Sequence, residues 1–108
     1  MSSNFIPLTA QELVAKVSKI PRVNLALLPT VLEFAPNISK KLGINLYIKR
    51  DDCTALAFGG NKTRHLEFIM AKILSGDYDC ILTGAASQSN FCRQAVAAAN
   101  KLNLETLG

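Results

Sequence analysis

The sequence predicts an α/β fold built on a parallel sheet. Three observations carry that expectation: a strand-like run at Ile44–Lys49, an amphipathic helix behind Gly59–Gly60, and a second strand-then-helix pair from Cys80 to Leu102. Strand, helix, strand, helix in that order is the pattern of parallel layers joined by helical crossovers.

Thr9 with Glu12 three residues on predicts a helix start with a capping box. Leu13, Val14, Val17 and Ile20 share one helical face, and Pro21 ends the run. Pro21, Pro29 and Pro36 punctuate an extended, irregular connection. A short helix over Asn37–Leu42 closes at Gly43, because glycine accepts the left-handed conformation that ends helices. Ile44–Lys49 alternates apolar and polar residues as a strand does. Arg50–Thr54 is a polar loop, with Asp51 and Asp52 placed to pair with Arg50 or Arg64. Leu66, Ile69, Met70, Ile73 and Leu74 mark the apolar face of the next helix, stopped near Gly76. Cys80–Leu82 is a short buried strand and Thr83–Gln88 a loop of small residues. Ser89 caps a last helix packed through Cys92, Ala95, Val96, Ala99 and Leu102, with Arg93 and Lys101 on its solvated face. A further strand is expected to begin at Leu104.

The 108 residues, 49% apolar and 19% charged, suit one folded domain or a piece of a larger one. No apolar run approaches the roughly 18 residues of a membrane span, and the N-terminus lacks a secretory pattern. Three cysteines (Cys53, Cys80, Cys92) form no metal-ligand pair and read as reduced packing residues of a cytoplasmic protein. The net charge of +4 is dispersed, without the basic block and interleaved aromatics of a nucleic-acid binder. Two or three parallel strands bury little and leave open edges, so the expectation is a fragment, a truncated product or one part of an assembly.

Two loops carry the chemistry, each ahead of a helix, where parallel sheets bind ligands. The first presents Asn61 and Lys62 behind two glycines that leave room for a planar ligand. The positive end of a helix dipole favours the neutral amine at Lys62, the form that attacks aldehydes. The second presents Ser87, Gln88, Ser89 and Asn90, whose side chains and helix-start N–H groups form a receptor for carboxylate or phosphate. His65, one turn past Lys62, reads as a surface residue.

Lys49–Thr54, Leu56–Arg64 and Gln88–Gln94, with Pro29-Thr30, Leu32 and Glu33 ahead of them, resemble the N-terminal part of the D-cysteine desulfhydrase and 1-aminocyclopropane-1-carboxylate deaminase family. The resemblance runs from Ile20 onward and implies the parallel-sheet three-layer α/β fold of fold-type II pyridoxal-phosphate enzymes, present as an incomplete N-terminal fragment. Residues 1–43 would be its helix and extended connection, and residues 44–108 its βαβα portion. It implies that Lys62 carries pyridoxal 5'-phosphate as a Schiff base and later shuttles a proton. Asn90 would hydrogen-bond the cofactor's 3′ oxygen, Asn61 would stand beside it, and Ser89 with Gln88 and Asn90 would receive the substrate carboxylate. The implied activity is that of a lyase or deaminase on D-cysteine or a related small amino acid, inactive in this segment alone, with homodimers as the full-length form. Asp51-Asp52-Cys53-Thr54, without an inserted Asn-Ser, leans towards the desulfhydrase branch. The other reading is a non-catalytic remnant that binds an anion or a partner.

Two departures stand out. Ala55 and Ala85 occupy positions where the family usually has glycine, and alanine costs energy wherever the backbone takes positive φ. The family's phosphate-binding loop, ring-nitrogen partner and substrate-side tyrosine would lie beyond Gly108.

Overall fold

The computed structural model describes residues 6–107. Its first helix, α1 (Ala10–Val17), starts at the expected capping box: Thr9 Oγ1 accepts from the Glu12 N–H at 3.2 Å, and the Glu12 carboxylate accepts from the Thr9 N–H at 2.8 Å. None of its residues is buried. The connection then hydrogen-bonds to the body of the molecule through Val23 and Leu27, whose N–H groups donate to the carbonyls of Glu67 and Thr54.

Strand β1 (Leu32–Phe34) lies inside the segment expected to be irregular, and β2 (Tyr47–Lys49) pairs with it antiparallel, Leu32 opposite Lys49 and Phe34 opposite Tyr47. The predicted strand at Ile44–Lys49 is thus half as long and belongs to a hairpin, not to the parallel layer. The helix between them explains the pairing. Helix α2 (Pro36–Leu42) is one short excursion closed by Gly43 at φ 67°, which returns the chain beside β1. Buried Ser39 secures that return by accepting the Leu46 N–H at 2.9 Å.

Two single 3₁₀ turns, Asp51–Cys53 and Leu56–Phe58, lead to α3 (Lys62–Leu74). Strand β3 (Cys80–Leu82), helix α4 (Asn90–Lys101) and β4 (Glu105–Leu107) follow, with β3 and β4 parallel and Cys80 opposite Glu105. This β3–α4–β4 unit is the parallel element the sequence predicts, and β4 begins at the expected place.

The core is the seam between α3 and α4. Leu66, Met70, Ala95 and Ala98 are at most 2% exposed, and Leu25 closes the seam from the connection. Small residues on α4 let the two helices approach closely, as the sequence pattern anticipates. The buried α3 face is rotated from expectation, taking in Thr63 and Glu67 while Ile69 and Leu74 stay exposed. Glu67 causes the rotation. Its carboxylate accepts from the Leu25 and Ala26 N–H groups at 2.9 Å and pairs with Arg22, so the connection lies over that side of the helix. A carboxylate held by two N–H groups and a guanidinium avoids the penalty of lone burial.

The Cα radius of gyration is 17.8 Å, against about 13 Å for a compact domain of this length. Many large apolar side chains, including Leu13, Val14, Val17 and Ile20 of the first helical face, are accordingly exposed.

Candidate functional site

Lys62 is the first residue of α3 and is half-buried; Asn61 before it is exposed and makes no side-chain cap to the helix. The ion pairs among the described residues (Arg22–Glu67, Arg50–Glu33, Arg50–Asp52 and Arg64–Asp51) leave Lys62 out. Its amine thus stands outside every ion pair among the described residues.

The turn in front of Lys62 is strained. Ala55, Ala57 and Phe58 take φ of 73°, 47° and 68°, and Gly59 and Gly60 follow at 78° and 138°. The departure from glycine at position 55 thus falls on a residue in the left-handed region, whereas Ala85 is not among the positive-φ residues. Strain of this kind persists where surrounding contacts over-determine the backbone. Here Thr54, fully buried, donates its hydroxyl proton to the Gly60 carbonyl at 2.8 Å and accepts the Gly60 N–H at 2.9 Å. Thr63 donates to Gln94 Oε1 at 3.0 Å, and Gln94 Nε2 donates to the Gly59 carbonyl at 2.6 Å. Space bars a side chain at Gly59, and at Gly60 one would displace the Gln94 amide. A Cβ on Gly59 would lie 1.8 Å from the Asp52 carbonyl oxygen, and one on Gly60 2.1 Å from Gln94 Nε2.

The first turn of α3 is anchored on its other side by Arg64. Its Nε and Nη2 grip the Asp51 carboxylate in a bidentate fork at 2.8 Å each, and Thr30 donates to the same carboxylate at 3.0 Å. The Arg64 hydrogen bond leads the causes that hold the Asp51 carboxyl below its usual range, opposed by burial and aided by Thr30. Asp52 pairs instead with Arg50, whose hydrogen bond pulls its carboxyl down to about 2. Both acids thus act as structural anchors. Cys53 is exposed, not packed, because its 3₁₀ turn aims the thiol back at Asp52. His65 is exposed as expected.

The second loop leaves the carboxyl end of β3. Ser89 caps α4 by accepting the Cys92 N–H at 3.3 Å. With Ser87, Thr83, Gly84, Arg93 and Thr106 it lines a cleft of about 590 Å³. Lys62, Asn61, Gln88 and Asn90 do not line that cleft, and Gln88 and Asn90 are exposed. The two loops are joined by α4 itself. Arg93 Nη2 donates to Asn90 Oδ1 at 3.0 Å and to the Gly59 carbonyl at 3.3 Å, while Gln94 holds that carbonyl from inside. Arg93 is therefore half-buried between the loops, correcting the expectation of a solvated face; Lys101 is exposed as expected. Thr54, Thr63 and Gln94 are positions to which sequence reasoning gave no role, and Arg93 one that it placed on the wrong side. The signal for Gln94 was present, a polar residue directly beside the small-residue face that starts at Ala95.

The donor set fits an aldehyde-bearing, anionic cofactor. It offers a primary amine that is in no ion pair among the described residues, a glycine pair without side chains and a helix start with a Ser–Asn pair. Among the described residues no three His, Cys, Asp or Glu side chains group as metal ligands, and no helix is long and apolar enough to cross a membrane.

Comparison with known proteins agrees with this geometry. Residues 23–107 match the family model described as pyridoxal-phosphate dependent enzyme, and the chain belongs to that family. It is 49% identical over 88 residues to a D-cysteine desulfhydrase of Salmonella paratyphi C and 48% identical to one of Salmonella newport. Each match covers 82% of this chain and 27% of the relative, so the chain spans about a quarter of the length of these relatives. A crystal structure described as an ACC deaminase homologue superposes with a TM-score of 0.85 at 39% identity, covering 92% of this chain and 30% of that one. The α/β class and the fold-type II membership expected from the sequence stand on that superposition.

Proposed function

We propose that these residues form the N-terminal, lysine-bearing segment of a pyridoxal-phosphate-dependent lyase or deaminase. Its substrate would be D-cysteine or a related small amino acid. The conversion takes up water, needs no external oxidant, and releases a 2-oxo acid, ammonia and, from cysteine, sulfide. The observation that carries the reading is the bridge through Arg93 and Gln94, which ties the turn before Lys62 to the Ser89–Asn90 helix start. The relatives' names supply the substrate class.

Bound pyridoxal phosphate supplies an aldehyde that captures amines and a ring that accepts electrons. The protein's own part is binding and proton transfer. Lys62 Nζ would hold the cofactor and, as a free amine, would take the proton from the substrate's α-carbon. Ser89 and Gln88, with the free N–H groups of the α4 start, hold the carboxylate and orient that carbon. Asn90 would donate to the cofactor's 3′ oxygen, with Asn61 beside it. Full-length relatives of this kind act as homodimers in this reading, and the segment alone holds cofactor weakly and does not turn over.

Borohydride trapping tests it. The chain is incubated with pyridoxal phosphate, reduced, digested and mapped by mass spectrometry. The expected result is preferential labelling of Lys62 over Lys49 and Lys72, a yellow absorbance band lost in Lys62→Ala, and protection of Lys62 by D-cysteine. Equal labelling of all lysines would sink the enzyme reading. Inorganic phosphate binding without Lys62 labelling would instead favour the anion-binding remnant.

A further inference from the structure

Arg93 is placed where no solvated helix residue would be. Its guanidinium lies 5.9 Å from the Phe58 ring centroid, its Nη1 is buried without a hydrogen-bond partner among the described residues, and its Nη2 reaches both Asn90 and Gly59. A guanidinium only donates hydrogen bonds, so the Asn90 amide atom that faces it must be the oxygen. The amide nitrogen, with both its protons, is then the end left to face outward. An asparagine free to rotate about its amide offers a ligand oxygen either a donor or a repelling acceptor. One clasped through Oδ1 offers only the donor.

The second contact bears on the lysine. The Gly59 carbonyl lies three residues before Lys62, and the same Arg93 nitrogen that sets Asn90 also touches it. Gln94 binds that carbonyl more closely, at 2.6 Å against 3.3 Å, so the loop keeps an anchor when Arg93 is removed. Fold maintenance and ligand orientation are thereby divided between neighbouring residues of α4.

We infer that Arg93 is a positioning residue that locks the Asn90 side chain as a hydrogen-bond donor toward an anionic oxygen of the bound ligand. The inference rests on the reading of Asn90 and Lys62 given above and extends it to a residue that acts through Asn90.

The test has two readouts. In nitrogen–proton correlation spectra of the ligand-free chain, the Asn90 side-chain N–H resonances are expected to move in Arg93→Met, while the melting temperature stays near that of the native chain. Superimposed Asn90 resonances would overturn the lock. In the borohydride assay, the pyridoxal phosphate concentration for half-labelling of Lys62 is expected to rise about tenfold in Arg93→Met, the loss of one oriented hydrogen bond. Arg93→Lys, which keeps a donor, should return it to within about threefold of native. Asn90→Asp, which pairs with Arg93 but turns an acceptor outward, should keep the fold and lose labelling. Native labelling with an unchanged Arg93→Met midpoint would overturn the positioning role alone. Absence of Lys62 labelling in the native chain would instead remove the proposed function on which it rests.

Discussion

Residues 55–60, ahead of α3, and residues 83–88, ahead of α4, both deliver a polar helix start, yet they are held in different ways. The first run carries positive φ at five of its positions and is gripped by Thr54, Gln94 and Arg93. The second is exposed from Gly84 to Gln88 and is tied chiefly through Ser89, which caps α4 and donates its N–H to the Ala86 carbonyl. The contrast follows from what each would do under the proposed function. A lysine that forms a covalent bond needs a fixed origin, and strain is tolerable there because buried hydrogen bonds over-determine the backbone. A receptor for a carboxylate needs its N–H groups free, so the loop before it must leave them unspent.

The strongest way to break this contrast is Gly59→Ala. Its new Cβ would meet the Asp52 carbonyl oxygen at 1.8 Å in a left-handed residue, a loss of about 3 kcal/mol or more. Urea denaturation should show it, and a native midpoint would mean the turn is looser than described. Next comes Gln94→Leu, which leaves the buried Thr63 hydroxyl without its acceptor and the Gly59 carbonyl with only its weaker partner. The expected loss is about 2 kcal/mol, together with slower labelling of Lys62.

Ser89→Ala probes the other loop, where only a helix cap is removed. It should cost about 1 kcal/mol while weakening inorganic phosphate or carboxylate binding. A loss matching that of Gln94→Leu would erase the contrast. Ala55→Gly should act in the opposite direction, relieving φ 73° and raising stability by about 0.5–1 kcal/mol. A lowered melting temperature there would show that Ala55 is not strained.

The smallest effect is that of acid. Asp51 and Asp52 are both held below their ordinary value of 3.8, Asp52 at about 2. Depressed carboxylates stabilise the fold above the unfolded-state value and lose that contribution as pH falls through the folded one. Stability should therefore decline between about pH 4 and pH 2 from these groups. Arg64→Met should flatten the Asp51 share of the decline; an unaltered pH profile in that variant would show that the fork does not couple to folding.

Much of the molecule is legible in the chain because its signals are local. The Thr9–Glu12 capping box, the left-handed Gly43, the Ser89 cap and the start of β4 each depend on a few neighbouring residues, and each forms as read. The ion pairs of Asp51 with Arg64 and Asp52 with Arg50 were among the readings that charge and proximity allowed. Arg93 was misjudged because helical periodicity places it outward. Nothing local records that the Gly59 turn comes to cover it.

Sequence thus sufficed for the four helices, their capping motifs and the family, all of which follow from residue type and short spacing. Folding in three dimensions settled the rest. It set β2 beside β1 instead of β3, turned the α3 face inward at Glu67, and drew Thr54, Thr63 and Gln94 into one buried network. Those outcomes depend on contacts between residues up to 45 positions apart, such as Arg22 with Glu67. Hydrogen-bond satisfaction in the interior selects such partners, and hydrophobic periodicity along the chain carries no trace of that choice.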